Sequence, residues 1–105
     1  ALPIIIETMV NTGRMDWADV ARVMSTAPAR IGGVDTQGRG LVEGAPAHVT
    51  LVDASVRTTV DPAAQWTRST NCPYRGMELP GQVRYTIYGG VPTVVDAAPI
   101  AKEDR

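Results

Sequence analysis

The stretch VRYTIYGGVPTVV, residues 83–95, predicts a β-hairpin and with it a sheet. Its two arms are rich in Val, Thr, Ile and Tyr, which strands favour, so strands are predicted over Val83–Tyr88 and Pro92–Val95. Gly89 and Gly90 lie between the arms, where a two-residue hairpin turn needs positive φ at both positions. We therefore expect a tight antiparallel hairpin here.

Two more strands are predicted before this hairpin. The segments Val49–Val52 and Val56–Val60 are rich in Val and Thr and are bounded by turn residues. Asp61–Trp66 suits a short helical turn, and Thr67–Leu79 is predicted to be a long loop with its own hydrogen-bonding side chains. The sequence therefore predicts a small sheet of four strands.

The apolar residues near the start of the chain recur at helical spacing. They are Leu2, Ile5, Ile6, Met9 and Val10. Pro3 suits the first turn of a helix and Gly13 suits the residue after its end. A helix is therefore predicted over residues 2–12.

A second helix is predicted to begin after Asp16, whose side chain can cap it. Its apolar face consists of Trp17, Val20, Val23 and Met24. Ser25–Pro28 is predicted to break this helix, because proline disfavours helical backbone in the residue before it. Pro28–Ile31 can add one more helical turn, which Gly32 and Gly33 would end.

The composition changes after Asp35, where Gly, Pro and Thr become frequent and helical spacing is lost. The predicted fold class is α+β, with helices over residues 1–35 and a β-rich domain over residues 36–100. The last five residues, 101–105, are mostly charged and are predicted to be frayed. The apolar faces of these helices include Ile4, Ile5, Ile6, Val20 and Val23, which are expected to pack against another part of a larger protein.

Composition excludes several classes of protein. The chain has 105 residues, 44% of them hydrophobic, which suits one modest domain, and its net charge of -1 gives no general attraction to nucleic acid or anionic membranes. Cys72 is the only cysteine, so an internal disulfide is impossible and a reducing, cytoplasmic location is expected. The apolar residues 2–6 are too few to cross a bilayer. Their position directly after Ala1 indicates a piece excised from a longer polypeptide.

His48 and Cys72 are the only imidazole and the only thiol of the sequence. A hydrolytic zinc site needs three or more ligands from His, Cys or carboxylate, with one position open for water. Neither residue has a second imidazole or thiol at ligand spacing, so no metal ligand is assigned to this chain. His48 precedes a predicted strand, and we expect its side chain to satisfy a turn by hydrogen bonding.

The other candidate sites are explained better by structure than by chemistry. Cys72 has no base nearby in sequence and is expected to be packed, and Asp16 and Asp19 suit helix capping. Gly32–Gly33 and Gly38–Gly40 lack the Lys and Ser/Thr of a phosphate loop and are predicted to be turns. Packing in a core or an interface is expected of the aromatic residues Trp17, Trp66, Tyr74, Tyr85 and Tyr88. No catalytic, cofactor-binding or metal-binding residue is therefore assigned.

The segment GLVEGAPAHVTLVD, residues 40–53, resembles the signature that leads from the catalytic barrel of the amidohydrolase superfamily into a flanking β-domain. The family pattern is a Gly, an apolar residue, a second Gly, Ala-Asp, an apolar run and a closing Asp. His48 stands in place of the Asp after Ala47. Upstream, MSTAPARI, residues 24–31, resembles the Asn-Pro-Ala step after the last barrel helix, with Ala27 in place of Asn.

Two further segments narrow this resemblance. STNCPYRGMELPGQV, residues 69–83, together with the hairpin that follows, is similar to the tail of dihydroorotases and their cyclic amidohydrolase relatives. LPIIIET, residues 2–8, resembles the dihydroorotase helix after the last barrel strand. Because the similarity runs in consistent order through nearly all of residues 1–100, the chain resembles the C-terminal segment of a dihydroorotase.

The resemblance implies a zinc-dependent (β/α)8 enzyme that interconverts N-carbamoyl-aspartate and dihydroorotate in pyrimidine biosynthesis. Its metal-binding histidines, carboxylated lysine and catalytic aspartate would all lie upstream of Ala1, and its barrel alone takes about 250 residues. The chain by itself is therefore expected to bind no zinc, to be inactive and to act as scaffold. Its N-terminal helices would belong to the end of the barrel.

The partner that the resemblance implies is the barrel of the same polypeptide. The intact enzyme would also bind a small-molecule substrate, and a homo-oligomer is compatible with the sequence, whereas nucleic acid and membrane partners are not expected. Two alternatives stay open. The chain is a segment of a hydantoinase or an allantoinase, or it is a stand-alone β-rich interaction module whose exposed apolar helix is a docking face.

Overall fold

Helices occupy the first third of the chain in the computed structural model, which describes residues 1–104. The α-helical segments are α1 (Leu2–Ile5), α2 (Trp17–Ala21) and α3 (Ala27–Ile31). Two π-helical turns, Ile6–Val10 and Arg22–Thr26, continue α1 and α2 directly. In these wider turns each backbone N–H bonds to the carbonyl five residues before it.

The first helix was predicted over residues 2–12 and is helical through Val10. Its last turn is closed by the Asn11 N–H, which donates to the Ile6 carbonyl at 2.8 Å. Gly13 follows with a φ of +75°, a conformation that favours glycine, and its N–H donates to the Val10 carbonyl at 3.0 Å. The helix ends before this glycine, as predicted, but its last helical residue is Val10 and not residue 12.

The second helix starts at the predicted cap. The Asp16 carboxylate accepts the Asp19 N–H at 2.8 Å, and the Asp19 carboxylate accepts the Asp16 N–H at 3.1 Å. Each carboxylate thus satisfies a backbone donor that the first helical turn would leave free, which is the reciprocal arrangement of a capping box.

The predicted break at Ser25–Pro28 is wrong, because the backbone stays helical from Trp17 to Ile31. Proline is tolerated in the first turn of an α-helical segment, where its missing N–H has no partner within that segment. The preceding π-helical turn ends with the Ala27 N–H bonded to the Arg22 carbonyl, so that Pro28 becomes the second residue of α3. The change of hydrogen-bonding pattern therefore absorbs the proline without ending the helix.

The second half of the chain forms a four-stranded antiparallel sheet in the order β1-β2-β3-β4. The strands are β1 (Val49–Thr59), β2 (Glu78–Tyr88), β3 (Val91–Val95) and β4 (Ala98–Pro99). Neighbours in the sheet are neighbours in sequence, so the sheet is a meander with β2 and β3 in its middle. The α+β fold class is confirmed at this level.

The predicted hairpin at the end of β2 is confirmed. Tyr88 pairs with Val91, and the two residues between them, Gly89 and Gly90, have φ values of +57° and +82°. Positive φ at both central positions matches the right-handed twist of the flanking strands, and glycine adopts it without steric cost.

The two strands predicted at Val49–Val52 and Val56–Val60 are one strand, β1, with a bulge. The pairing with β2 shifts between Asp53 and Arg57. The Asp53 carboxylate accepts the Ser55 N–H at 2.9 Å and its hydroxyl at 2.6 Å, which holds a local turn inside the strand. The turn residues were recognised correctly, but they form an irregularity within one strand.

Strand β2 was predicted from Val83 but begins at Glu78, so the long loop ends two residues before its predicted end at Leu79. Pro80 lies inside β2 and pairs with Arg57 of β1. In the part of the chain that the structure describes, β3 pairs only with the far end of β2, from Thr86 onward. Pro80 therefore has a neighbouring strand on one side only, and its missing N–H need not interrupt a ladder.

Three smaller predictions need correction. The helical turn predicted over Asp61–Trp66 is the shorter 3-10 turn Pro62–Ala64, capped by the Asp61 carboxylate, which accepts the Ala63 N–H. Strand β4 was not predicted. The tail predicted to be frayed contains an exposed 3-10 turn, Lys102–Asp104, whereas Arg105 lies outside the described residues.

The helices and the sheet meet at a small core. Among residues 1–104, three hydrophobic side chains are buried, and they are Ile6, Val20 and Leu79. Ile6 is 0% exposed, and a Cβ added to Gly81 of β2 would lie only 2.5 Å from its Cδ1. Ile6 and Val20 are thus buried within the chain itself, while Ile4, Ile5 and Val23 are partly exposed.

One arginine also joins the first helix to the sheet. The Arg57 guanidinium donates to the Glu7 carboxylate at 3.2 Å and to the Glu78 carboxylate at 3.1 Å. These bonds, to Glu7 first and then to Glu78, raise the pKa of Arg57 above its ordinary value. Because all three side chains are partly exposed, water screens the pairs, and the buried Ile6 contributes more to this joint.

Acid should lower the stability of the fold through Asp19 and Asp53, two carboxylates that accept backbone N–H groups. The pKa of Asp19 is lowered by the Asp16 N–H and then by Arg22, and the pKa of Asp53 is lowered by the hydroxyl and the N–H of Ser55. A carboxyl whose folded pKa is depressed contributes stability above its unfolded pKa and loses it as the pH falls through the folded value. We expect the free energy of unfolding to decrease as the pH falls below about 4.

Thermal or urea unfolding at a series of pH values measures this effect. The variant Asp19→Asn/Asp53→Asn should be less stable at neutral pH and should lose less stability between about pH 6 and about pH 3. The same loss in the variant and in the parent sequence would contradict the assignment.

Candidate functional site

A cleft lies between the second helix and the sheet. Its volume is about 960 Å³, and the segment of residues 36–47, which connects the helices to β1, forms one of its walls. Five of the large apolar side chains that line it are exposed, and they are Trp17, Met24, Leu41, Val42 and Tyr88. We refer to this feature as the apolar cleft.

His48 lines the apolar cleft at the entrance of β1. Its Nδ1 accepts the Gly89 N–H at 3.1 Å, and its ring lies 4.9 Å from that of Tyr88, at an interplanar angle of 52°. Beside it, the Gly90 N–H donates to the Ala47 carbonyl at 3.0 Å. The β2–β3 hairpin is therefore tied to the start of β1, and the predicted turn hydrogen bond of His48 is confirmed.

The acceptor role of Nδ1 fixes the arrangement of the ring. In the neutral imidazole the proton must then be on Nε2, which lies 3.4 Å from the side-chain amide of Gln37. The Nε2–H of His48 needs an acceptor, and the side-chain amide of Gln37 can offer its oxygen. The Gln37 amide is therefore assigned with its oxygen towards His48. Both ring nitrogens are thus used within the fold, which leaves no free lone pair for a metal.

Removing the His48 ring should weaken the hairpin anchor. His48→Ala deletes the acceptor of the Gly89 N–H, and because Gly89 is exposed water can replace it, so the expected loss of stability is about 0.5–1.5 kcal/mol. His48→Asp keeps an acceptor and should recover part of that loss. Urea unfolding of both variants checks the prediction, and equal losses would contradict the acceptor role.

Cys72 lies in the loop between β1 and β2 and is partly buried. Its carbonyl accepts the Arg75 N–H at 3.3 Å, and the Arg75 guanidinium donates to the Thr70 carbonyl at 3.1 Å. Thr67 and Ser69 accept backbone N–H groups of the same loop through their hydroxyls. The predicted loop with its own hydrogen-bonding side chains is therefore confirmed. Within residues 1–104, no group of three or more His, Cys, Asp or Glu side chains is placed to hold a metal ion.

The structure agrees with the prediction for two of the glycines and disagrees with the prediction for the aromatic residues. Gly33 and Gly38 have φ values of +67° and lie in turns, as predicted. Gly38 also packs against the helix, because an added Cβ would lie 2.6 Å from the Ala29 side chain. The prediction of core packing is wrong for the aromatic residues, because all five are substantially exposed. They are Trp17, Trp66, Tyr74, Tyr85 and Tyr88.

Two features were missed by sequence reasoning. The close contact of Ile6 with Gly81 has only a weak signal in the sequence, which is a glycine next to a proline. Gly81 lies between the predicted loop and the predicted strand and was assigned to neither. The apolar cleft had a clearer signal, since Leu41 and Val42 are apolar residues in an otherwise polar, glycine-rich connection.

Comparison with solved structures shows that the fold is a known one. A solved structure described as that of D-hydantoinase matches with a TM-score of 0.80, covering 94% of this chain and 22% of that one, at 19% sequence identity. At that identity the likeness shows the fold alone. No family model matches the chain.

Sequence comparison gives the family to which the chain is related. Dihydroorotases are 52% identical over 96 residues in Streptomyces coelicolor, 46% over 90 residues in Mycobacterium leprae and 43% over 96 residues in Mycobacterium tuberculosis. These matches cover 91%, 86% and 91% of this chain, and the chain spans about a fifth of the length of these relatives (22%, 21% and 22%). The chain is homologous to a segment of the dihydroorotases, and the resemblance in its sequence is confirmed.

None of the helices formed by residues 1–104 combines the length and the apolar character that crossing a bilayer requires.

Proposed function

We propose that this chain is the C-terminal structural part of a dihydroorotase, which interconverts N-carbamoyl-aspartate and dihydroorotate in pyrimidine biosynthesis. The observation that carries the proposal is identity of 43–52% to three dihydroorotases over 86–91% of the chain. The polypeptide that contains the chain is an enzyme of the cytoplasm, and its substrate is a small molecule.

In this proposal the chain contributes structure and no chemistry. Residues 1–35 belong to the end of a (β/α)8 barrel, residues 36–100 form the β-rich flanking domain, and the barrel of the same polypeptide is the partner of both. The small core and the exposed apolar residues of the apolar cleft support this role, because both indicate a surface that is complete only in a larger protein. A homo-oligomer of the intact protein is compatible with this role.

Zinc is the metal that the relationship to dihydroorotases implies, and the residues of this chain do not fit a zinc site. A hydrolytic site needs at least three protein ligands, whereas the sequence has one His and one Cys. Both nitrogens of the His48 ring already serve the fold. We therefore place the zinc ligands and the catalytic aspartate in the remainder of the polypeptide, and the chain alone is inactive.

Substrate turnover by the intact polypeptide tests the proposal. Purified with zinc, it should act on dihydroorotate and N-carbamoyl-aspartate in preference to hydantoin and allantoin. Preference for hydantoin or allantoin would contradict the assignment and favour another cyclic amidohydrolase. The structure described as that of D-hydantoinase has the same fold over this segment. Absence of turnover on all of these substrates, with zinc bound, would favour an interaction module.

A further inference from the structure

We propose that His48 is a pH-sensitive switch that holds the tip of the β2–β3 hairpin when its ring is neutral and releases the tip when the ring takes up a proton. The tip consists of Gly89 and Gly90, the two residues between the paired Tyr88 and Val91. This switch lies within the fold and would operate whether or not the intact polypeptide is a dihydroorotase.

The neutral His48 ring joins three parts of the chain. Its Nδ1 accepts the Gly89 N–H at 3.1 Å, and its Nε2 lies 3.4 Å from the side-chain amide of Gln37, in the connection that precedes β1. The ring is half-buried, and its centroid lies 4.9 Å from that of the Tyr88 ring. A neutral His48 therefore couples the entrance of β1 both to the hairpin and to the connection.

A protonated His48 ring cannot make the bond to Gly89. The imidazolium carries a hydrogen on both nitrogens and has no acceptor, so its Nδ1–H would face the Gly89 N–H as a second donor. Turning the ring over about the Cβ–Cγ bond would present a carbon atom to Gly89 and would not restore an acceptor. Every orientation of the charged ring therefore loses this hydrogen bond.

The chemistry of imidazole gives the pH range and the direction of the change. Imidazole is the side chain whose charge ordinarily changes between about pH 5 and about pH 8. Because the bond to Gly89 exists only with the neutral ring, a fall in pH favours the released tip by linkage. Carboxylates such as Asp19 and Asp53 take up protons at more acidic pH, so their effect can be separated from that of His48.

The other charged groups near the ring do not change in this range. Of the residues that line the apolar cleft with His48, Arg39 and Glu43 of the segment 36–47 are charged, and Tyr88 of the hairpin is titratable. The lining residues from the helices and from β1 are uncharged. Arginine, glutamate and tyrosine ordinarily keep their charge states between about pH 5 and about pH 8. The proton on His48 is therefore the main change of charge at this place.

The release should be confined to the tip of the hairpin. The Gly90 N–H donates to the Ala47 carbonyl at 3.0 Å, and Val49 of β1 pairs with Ile87 of β2, and neither contact depends on the imidazole. Gly89 is exposed, so water can accept its N–H once the ring no longer does. We therefore expect more frequent local opening at Gly89 in mild acid, with the strand pairing retained.

Hydrogen exchange in the intact polypeptide measures the switch. The protection of the Gly89 N–H, corrected for the intrinsic exchange rate at each pH, is followed by mass spectrometry of hairpin peptides. It should fall by about 3- to 10-fold between about pH 8 and about pH 5, the factor that corresponds to the loss of one hydrogen bond. The Gly76 N–H, which donates to the Val60 carbonyl at 2.9 Å, is the internal reference and should keep its protection. Unchanged protection of Gly89 would overturn the proposal.

Two variants separate the proton on His48 from other effects of acid. His48→Asn keeps an uncharged acceptor oxygen near the position of Nδ1, so the protection of Gly89 should be the same at both pH values. His48→Ala lacks the acceptor, so Gly89 should be weakly protected at both. If protection in His48→Asn falls with pH as much as in the parent sequence, another group controls the tip and the proposal is overturned.

Discussion

Ile6→Ala should lower the free energy of unfolding of the intact polypeptide by about 2–5 kcal/mol, the range of a fully buried isoleucine truncated to alanine. Ile6 is 0% exposed and joins the first helix to β2. The neighbouring backbone at Gly81 has no side chain that could move into the space left behind. The expected loss is therefore in the upper part of that range.

Urea unfolding of Ile6→Ala and of a matched control measures this loss. Ile31→Ala makes the same chemical change at the end of α3, where the side chain is 84% exposed and does not line the apolar cleft. The control should change stability by less than about 0.5 kcal/mol. Equal losses in the two variants would show that the helix–sheet joint is not centred on Ile6.

Gly81→Ala should be destabilising by about 2–5 kcal/mol for two separate reasons. The φ of Gly81 is +98°, and a side chain in the left-handed region costs about 1–2 kcal/mol. In addition, the new Cβ would lie 2.5 Å from Ile6 Cδ1 and 3.9 Å from the Val52 side chain, and such overpacking costs about 1–3 kcal/mol. The glycine is needed both for its backbone conformation and for the space above it.

A control and a double variant separate these two contributions. Gly76→Ala introduces a methyl group at a φ of +77° with no atom within 4 Å, so it should show the backbone cost alone. Ile6→Val removes the Cδ1 atom that Gly81→Ala would meet, so the double variant should cost less than the sum of the two single variants. Equal costs for the two glycine variants, with strict additivity, would contradict the steric account.

Local signals predicted much of the fold. The glycine pair between two β-rich segments predicted the hairpin, and Asp16 before an apolar helix face predicted the cap. Gly13 predicted the end of the first helix almost to the residue. Each of these features depends on residues within one turn of chain, where side-chain chemistry and backbone geometry are directly linked.

The incorrect predictions concern features that depend on neighbours distant in sequence. Pro80 was left outside the predicted strand, which began at Val83, although it lies within β2 where that strand has a partner on one side only. The turn at Asp53 was taken as the end of a strand, although β2 continues opposite it. Strand β4 follows a turn in which Asp96 and Ala97 have positive φ without glycine, and an ion pair of Asp96 with Arg84 helps to hold that turn.

For the candidate site, the number of His and Cys residues in the sequence was more informative than their spacing. A single His and a single Cys leave only carboxylates to complete a set of zinc ligands, so the absence of a zinc site in this chain stays a prediction. The role of His48 in a turn could be anticipated, but its partner Gly89 is 41 residues away and only the structure identifies it. Leu41 and Val42 gave a signal for an apolar surface, but the other walls of the apolar cleft could not be predicted, because they come from elements that are separate in sequence.

Metal content of one variant of the intact polypeptide tests the central claim most directly. His48→Asp/Cys72→Ser removes the only imidazole and the only thiol of this chain and keeps an acceptor for the hairpin. The account predicts that the folded variant keeps the same zinc per chain and the same turnover of dihydroorotate as the unmodified protein. Loss of zinc from the folded variant would contradict it, because this segment would then supply a ligand.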